Sequence, residues 1–182
     1  MEIRLAADLQ TDSVVDGEGI RTVIWTQGCP HNCLGCHNPN THDFNDGEVV
    51  DVMEVLERID ELDNQDGITF SGGDPMCQPR ACAKIAEYAK NKGLNIWCYT
   101  GYTYEQLQRL AKLNKDIIDF LNLIDVLIDG PFILKQKSLD LKFRGSKNQR
   151  LIDVPKTLES NEIVLVTEKE PISFSKPEGI YI

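Results

Sequence analysis

Positive charge is scarce in this chain: 19 lysines and arginines stand against 29 aspartates and glutamates, leaving a formal net charge of −10 over 182 residues. A surface that tracks a phosphate backbone needs clustered cations to displace counterions, so nucleic acid is not an expected partner. Long apolar runs are missing too. No stretch approaches the roughly 20 residues that cross a bilayer, and Met1-Glu2-Ile3-Arg4 opens no basic segment followed by an apolar one. These absences predict a cytoplasmic protein with no membrane partner. No internal repeat, low-complexity stretch or linker divides the sequence, so residues 1–182 are expected to fold as a single domain. A chain of that length buries about 70% of the surface it exposes when unfolded, and 41% hydrophobic with 26% charged residues is a globular composition.

Six cysteines in a chain without an export segment are expected as reduced thiols, because cytosolic thiol buffers keep them so. The run 21–27, Arg-Thr-Val-Ile-Trp-Thr-Gln, is rich in β-branched and aromatic residues and predicts a buried strand ending at Gly28. From 48 to 62, Val49, Val52, Met53, Leu56, Ile59 and Leu62 recur at three- and four-residue intervals, which predicts one helix with a solvated acidic face. A strand over 67–70, a helix over 78–92 closed by Gly93 and a strand over 94–100 follow. Thr103 and Gln106 match a capping box ahead of Leu107, Leu110 and Leu113. Residues 116–123 extend or restart that helix, 125–129 and 151–154 read as strands, and 162–167 reads as one more before a tail containing proline and serine. This alternation argues for an α/β fold with a parallel sheet and right-handed crossovers.

Placed on that scaffold, the unusual residues fall just after strands. Residues 28–37 follow the first, Ser71-Gly72-Gly73-Asp74-Pro75 the second, Gly101-Tyr102 the third and Gly130-Pro131-Phe132 the fourth. In parallel α/β folds such loops share the face where ligands bind, so a single composite site is expected.

Cys29-Pro30-His31-Asn32-Cys33-Leu34-Gly35-Cys36 sets three thiols in a loop able to wrap a compact object. Thiolates favour zinc, Cu(I) and iron–sulfur clusters. A structural zinc normally takes four protein ligands, and no second cysteine pair exists to supply them, although His31, His37 or His42 could complete a three-cysteine, one-histidine site. Three thiolates on a four-iron cluster leave one iron open to a small molecule.

The spacing of these cysteines, three residues then two, resembles that of the radical S-adenosylmethionine superfamily. Asp16-Gly17-Glu18-Gly19-Ile20-Arg21-Thr22, Gln27-Gly28-Cys29-Pro30-His31, Gly35-Cys36-His37-Asn38-Pro39, Ser71-Gly72-Gly73-Asp74-Pro75, Tyr99-Thr100-Gly101-Tyr102 and Phe143-Arg144-Gly145-Ser146 to Asn148-Gln149-Arg150 extend the likeness. Together they resemble the activating proteins of anaerobic ribonucleoside-triphosphate reductases. The motif-bearing core spans about 13–158, and 159–182 is a C-terminal extension where the likeness fades.

The resemblance implies an open partial (β/α) barrel of parallel strands. It also implies a 4Fe-4S cluster on Cys29, Cys33 and Cys36, with S-adenosyl-L-methionine chelated to the free iron and cleaved reductively. The resulting radical takes a hydrogen from a glycine of the partner reductase, and a reduced electron-donor protein is a second partner. By the same likeness the Gly72-Gly73 backbone approaches the methionyl amino group, Asp74 stands where many superfamily members carry glutamate, and Gly35, Cys36 and His37 lie along the adenosine. A radical enzyme acting on a small molecule, such as 7-carboxy-7-deazaguanine synthase, an activase of the pyruvate formate-lyase type, and a non-catalytic zinc-stabilised binding module are the alternatives. The Asn-Gln-Arg and Tyr-Thr-Gly-Tyr segments favour the reductase activase, and the lack of a second cysteine-rich insert removes larger activases.

Each residue also has a plainer reading. Gly72-Gly73 alone is an ordinary turn, His37 stacks on adenine or caps its loop, and His31 is a loop-stabilising hydrogen-bonder. Cys82 and Cys98 fall at core positions, where free cysteine behaves as a small hydrophobe, and Cys77 reads as filler. Tyr99 and Tyr102 wall the pocket or pack on the next helix. Arg144 and Arg150 bind a carboxylate, dock the reductase, or are simple exposed cations.

Overall fold

The computed structural model describes residues 1–167, in which the chain enters through two short strands that sequence patterning does not reveal. These are β1 (Glu2–Leu5) and β2 (Gln10–Ser13), and both pair antiparallel with β3 (Arg21–Thr26). Next, β4 (Glu48–Asp51) pairs with β1 and runs directly into α1 (Val52–Asp60). The single helix expected over 48–62 is therefore a strand and then a helix. Val49 and Val50 are β-branched and pair with Arg4 and Ile3. Asp51 is extended and accepts from the Met53 N–H, capping the helix that begins behind it.

The remaining elements are β5 (Gly67–Gly72), α2 (Pro79–Asn91), β6 (Asn95–Tyr99), α3 (Tyr104–Ala111), α4 (Lys115–Leu121), β7 (Val126–Asp129), β8 (Arg150–Asp153) and α5 (Val154–Ser160). The Thr103–Gln106 capping box forms with both of its bonds. Asn114 accepts from the Asp116 N–H, so α4 restarts the helix rather than extending α3. Asp153 likewise ends β8 by capping α5, a helix the sequence pattern does not announce. Residues 162–167 form no full strand: their pairing is an isolated bridge from Leu165 to Ile152, flanked by the Val166 N–H donating to Leu151 O.

The sheet runs in the order β4-β1-β3-β5-β6-β7-β8, with β2 also paired to β3. Its centre, β3 through β7, is parallel as expected, whereas both edges are antiparallel. A parallel neighbour requires a crossover back along the sheet. The segment between β7 and β8 makes no such crossover, so β8 returns antiparallel with Asp129 opposite Arg150.

Strand side chains alternate between faces. Ile24, Ile68, Phe70, Ile96, Cys98 and Leu127 join the helices in the main core, where Phe70 meets Phe120 edge to face at 5.2 Å. On the other face Trp97, Ile128 and Leu151 pack with Tyr99 and Phe143. The fully buried Arg21 lies there as well. It donates to Thr69 Oγ1, Glu18 O, Ile68 O and Asn95 Oδ1 and stacks on Trp97 at 5.2 Å, which fastens the loop before β3 onto the sheet. Burial pulls its guanidinium down to about 10. Among the described residues no helix is long and apolar enough to cross a membrane.

Candidate functional site

Parallel register places Thr26 beside Gly72, so β3 and β5 end together and their following loops start in contact. The Gly73 N–H donates to Thr26 O at 2.7 Å and the Asp74 N–H to Gly28 O at 2.8 Å. This contact leaves no room for side chains. A Cβ on Gly72 would lie 2.6 Å from Thr26 O, at a φ of +98°, and one on Gly73 would lie 2.4 Å from Gly28 O. Both glycines are thus required by the protein's own packing, in addition to any demand a ligand makes.

The cysteine loop leaves β3 and is closed at its base by Gly28 N–H to Thr41 O and Cys29 N–H to His42 O. Gln27 Nε2 reinforces the return by donating to Asn40 O and Asp43 O. Within the loop the Cys36 N–H bonds Cys33 O, and Asn32 and Gly35 adopt φ of +46° and +75° to make the bends. The Asn38 N–H donates to Cys36 Sγ at 3.4 Å, a contact of the kind that orients a metal-binding sulfur.

Cys29, Cys33, Cys36, His37, Gly72 and Gly73 border one cavity of about 410 Å³ at the C-terminal ends of the parallel strands. Tyr99, Gly101, Gly130 and Phe132 close its other side, so the loops after all four parallel strands meet there, as the motif positions predict. Gly35 and Asp74 do not line it. A Cβ on Gly35 would meet Leu134 Cδ1 at 3.1 Å.

Asp74 is fully buried beneath the loops and ties them together. Its carboxylate accepts from His31 Nε2 at 2.7 Å, Thr100 Oγ1 at 2.9 and 3.0 Å, the Gly101 N–H at 3.0 Å and the Met76 N–H at 3.0 Å. His31 is accordingly a hydrogen-bonder inside the cysteine loop, packed edge-on against Tyr102 at 4.5 Å. His37 sits 4.8 Å from Phe132, ring centroid to ring centroid.

Burial pushes the Cys29 thiol up to about 11, with the negative charge of Asp74 adding to the shift. Metal binding there must displace a proton. Cys77 is pushed up to about 12 by burial and does not line the cavity, and Cys82 and Cys98 are fully buried in the main core, where they pack. Of the two tyrosines, Tyr99 walls the cavity and Tyr102 packs beside it. Of the two arginines, Arg144 lines the cavity. Arg150 is engaged by Glu105 at 2.9 and 3.0 Å and by Asp129 at the base of α3.

Among the described residues no three His, Cys, Asp or Glu side chains converge on one ion position. The three thiols instead border a space with room for a multi-atom cluster, and soft thiolates are the ligands such a cluster takes. The residues fit an iron–sulfur cluster.

Three contributors escaped the reading of the sequence. Thr100 holds Asp74, and Val15 with Asp16 reaches the cavity from the loop fastened by Arg21. Thr100 and Asp16 lie inside segments that stand out in the sequence, Tyr-Thr-Gly-Tyr and Asp-Gly-Glu-Gly-Ile-Arg-Thr, and Val15 just precedes the second, but their roles depend on contacts between distant segments.

The family described as 4Fe-4S single cluster domain matches residues 15–152. The anaerobic ribonucleoside-triphosphate reductase-activating protein of Salmonella typhi is 36% identical over 145 residues, covering 75% of this chain and 90% of its own. Its counterpart in Escherichia coli (strain K12) is 34% identical with the same coverage. That of Enterobacteria phage T4 is 34% identical over 146 residues, covering 75% of this chain and 86% of its own. Among solved structures, QueE from Escherichia coli overlaps 57% of this chain and 54% of its own with a TM-score of 0.47 and 14% identity, too partial a likeness to bear on fold or function.

Proposed function

The chain belongs to the 4Fe-4S single cluster domain family and to the anaerobic ribonucleoside-triphosphate reductase-activating proteins, and we propose that it is an activase working on such a reductase. One observation carries the reading. The three thiols of the cysteine loop and the two-glycine turn, distant in sequence, meet on one cavity at the C-terminal ends of the parallel strands.

In this reading Cys29, Cys33 and Cys36 hold a 4Fe-4S cluster, and S-adenosylmethionine occupies the adjoining cavity against Gly72, Gly73, Cys36 and His37. Bound there, the cluster would supply the electron for reductive cleavage of the sulfonium, the chemistry needed to generate a glycyl radical on the reductase. The protein's own part is to place and to shield. The two glycines keep the floor of the cavity bare of side chains, and Asp74 acts from beneath as a positioning residue, with Gly35 making the bend before Cys36. Tyr99, Phe132 and His37 wall the space and exclude water. A reduced electron-donor protein serves the cluster, in the cytoplasm, where these free thiols persist.

The central β3-β5-β6-β7 sheet with helices packed on one face supports an open partial (β/α) barrel as the fold type. Residues 1–182 are taken as one domain whose core is 13–158.

Anaerobic preparation followed by iron and acid-labile sulfide analysis tests the cluster, and chromatography of the mixture with reductant and S-adenosylmethionine tests the chemistry. Bound iron with sulfide and accumulating 5′-deoxyadenosine are expected. Zinc without sulfide would refute the reading.

A further inference from the structure

Cluster chemistry leaves the segment between β7 and β8 without a full role, although its Gly-Ser-Lys-Asn-Gln motif gives it a definite shape. Ser146 Oγ accepts from the Ile133 N–H at 3.1 Å, and Asn148 Nδ2 donates to Pro131 O at 2.7 Å. Gln149 accepts from the N–H groups of Gly145 and Ser146 at 2.9 and 3.1 Å and donates to Gly130 O at 3.2 Å. A bridge between Lys137 and Ser146 and the Lys147 N–H bonded to Gln136 O at 3.0 Å fold the segment back on itself. The result is a lip over the site. Phe132, Phe143 and Gly145 line the cavity, and Leu134 leans on Gly35 of the cysteine loop.

The outer side of this lip differs from the rest of the molecule. Lys135, Lys137, Lys142 and Lys147 are exposed, as are Leu134 and Leu139, the latter at 91%. These four lysines stand against one carboxylate of the segment, Asp140, in a chain whose formal net charge is −10. Elsewhere Lys84, Lys90, Lys92, Lys115 and Lys156 each face a carboxylate of their own. The four lip lysines, like Lys112 outside the lip, have no such partner among the described residues.

We infer that residues 131–149 form the docking lip for the protein substrate. Its partner is a reductase surface bearing carboxylates around an apolar contact, which seats on the lysines and on Leu134 and Leu139 and so brings its glycine to the cavity mouth. The inference rests on the activase reading. A locally basic rim on an acidic body attracts a compact acidic patch while the rest of the body repels it, and this fixes orientation as well as encounter rate. A nucleic acid would have to lie across that same acidic body, and the exposed leucines offer nothing to phosphates.

The test is a four-fold reversal, Lys135→Glu with Lys137→Glu, Lys142→Glu and Lys147→Glu, beside a control reversing Lys84, Lys112, Lys115 and Lys156. Titration calorimetry against the anaerobic reductase and formation of 5′-deoxyadenosine without reductase are measured on both. Electrostatic docking predicts a Kd about ten-fold weaker for the lip variant alone, with its salt dependence flattened and uncoupled cleavage unchanged. An unchanged Kd overturns the proposal, as does equal weakening by the control. Loss of affinity confined to a duplex DNA probe also overturns it. Lip-dependent binding by a protein that forms no 5′-deoxyadenosine upholds the lip and removes the activase reading.

Discussion

His31 of the cysteine loop and Asp74 of the glycine turn are joined at 2.7 Å, Nε2 to Oδ2, and the same carboxylate holds Thr100 and Gly101 at the end of β6. One buried acid thereby fixes three loops that come from different strands. The shorter side chain, in place of a glutamate, is fully buried and does not line the cavity.

Asp74→Asn removes the charge from this junction and turns an amide donor toward Thr100, Gly101 or His31. Hydrogen bonds to charged groups contribute 1.5–3 kcal/mol each, and orphaned buried donors add a penalty, so a loss of about 3 kcal/mol is expected. Urea unfolding of the metal-free protein reads it directly. An unshifted midpoint would show that the junction holds nothing.

Gly73→Ala is expected to damage the cysteine loop as well as the glycine turn, because the new methyl would meet Gly28 O at 2.4 Å, next to Cys29. Overpacking of this kind costs about 1–3 kcal/mol. Iron per chain after anaerobic reconstitution should fall together with stability. Full iron content with normal stability would contradict the packing argument.

Cys33→Ala and Cys77→Ala separate ligand from filler. The first should abolish the competent cluster, as loss of one of three protein ligands does. The second should keep iron and sulfide at parent levels, since Cys77 does not line the cavity that the three loop thiols border. Cluster loss in the second variant would reassign the ligand set.

Acid should loosen the tie between α3 and β8. Arg150 holds the Glu105 carboxylate down at about 2, below the ordinary 4.5. A depressed carboxylate stabilises the fold above its ordinary value and loses that contribution as pH falls through the folded one. Stability should therefore decline between about 4.5 and about 2, modestly because Glu105 is 46% exposed. Glu105→Gln should flatten that part of the curve in urea titrations at stepped pH, and an identical curve would refute the link.

Much of the site was legible because its residues are unusual for local reasons: three closely spaced thiols, paired glycines and polar residues at strand ends. The central strands were legible from their β-branched runs. What escaped depends on distant partners. β1 and β2 are four residues each and carry too few positions for a pattern, and Val49 and Val50 fit a helical stripe as well as the strand that β1 makes of them. The antiparallel return of β8 follows from the path of the lip, which spacing does not encode. Asp74 looked like part of a ligand surface because nothing local reveals that His31 and Thr100 close over it.

Electron paramagnetic resonance on an anaerobic mixture of this protein, reductant, S-adenosylmethionine and the anaerobic reductase tests the central claim most directly. A glycyl radical signal that appears with the parent protein and is absent with Cys33→Ala is the predicted result. An intact cluster that yields 5′-deoxyadenosine but leaves no radical on the reductase would contradict it.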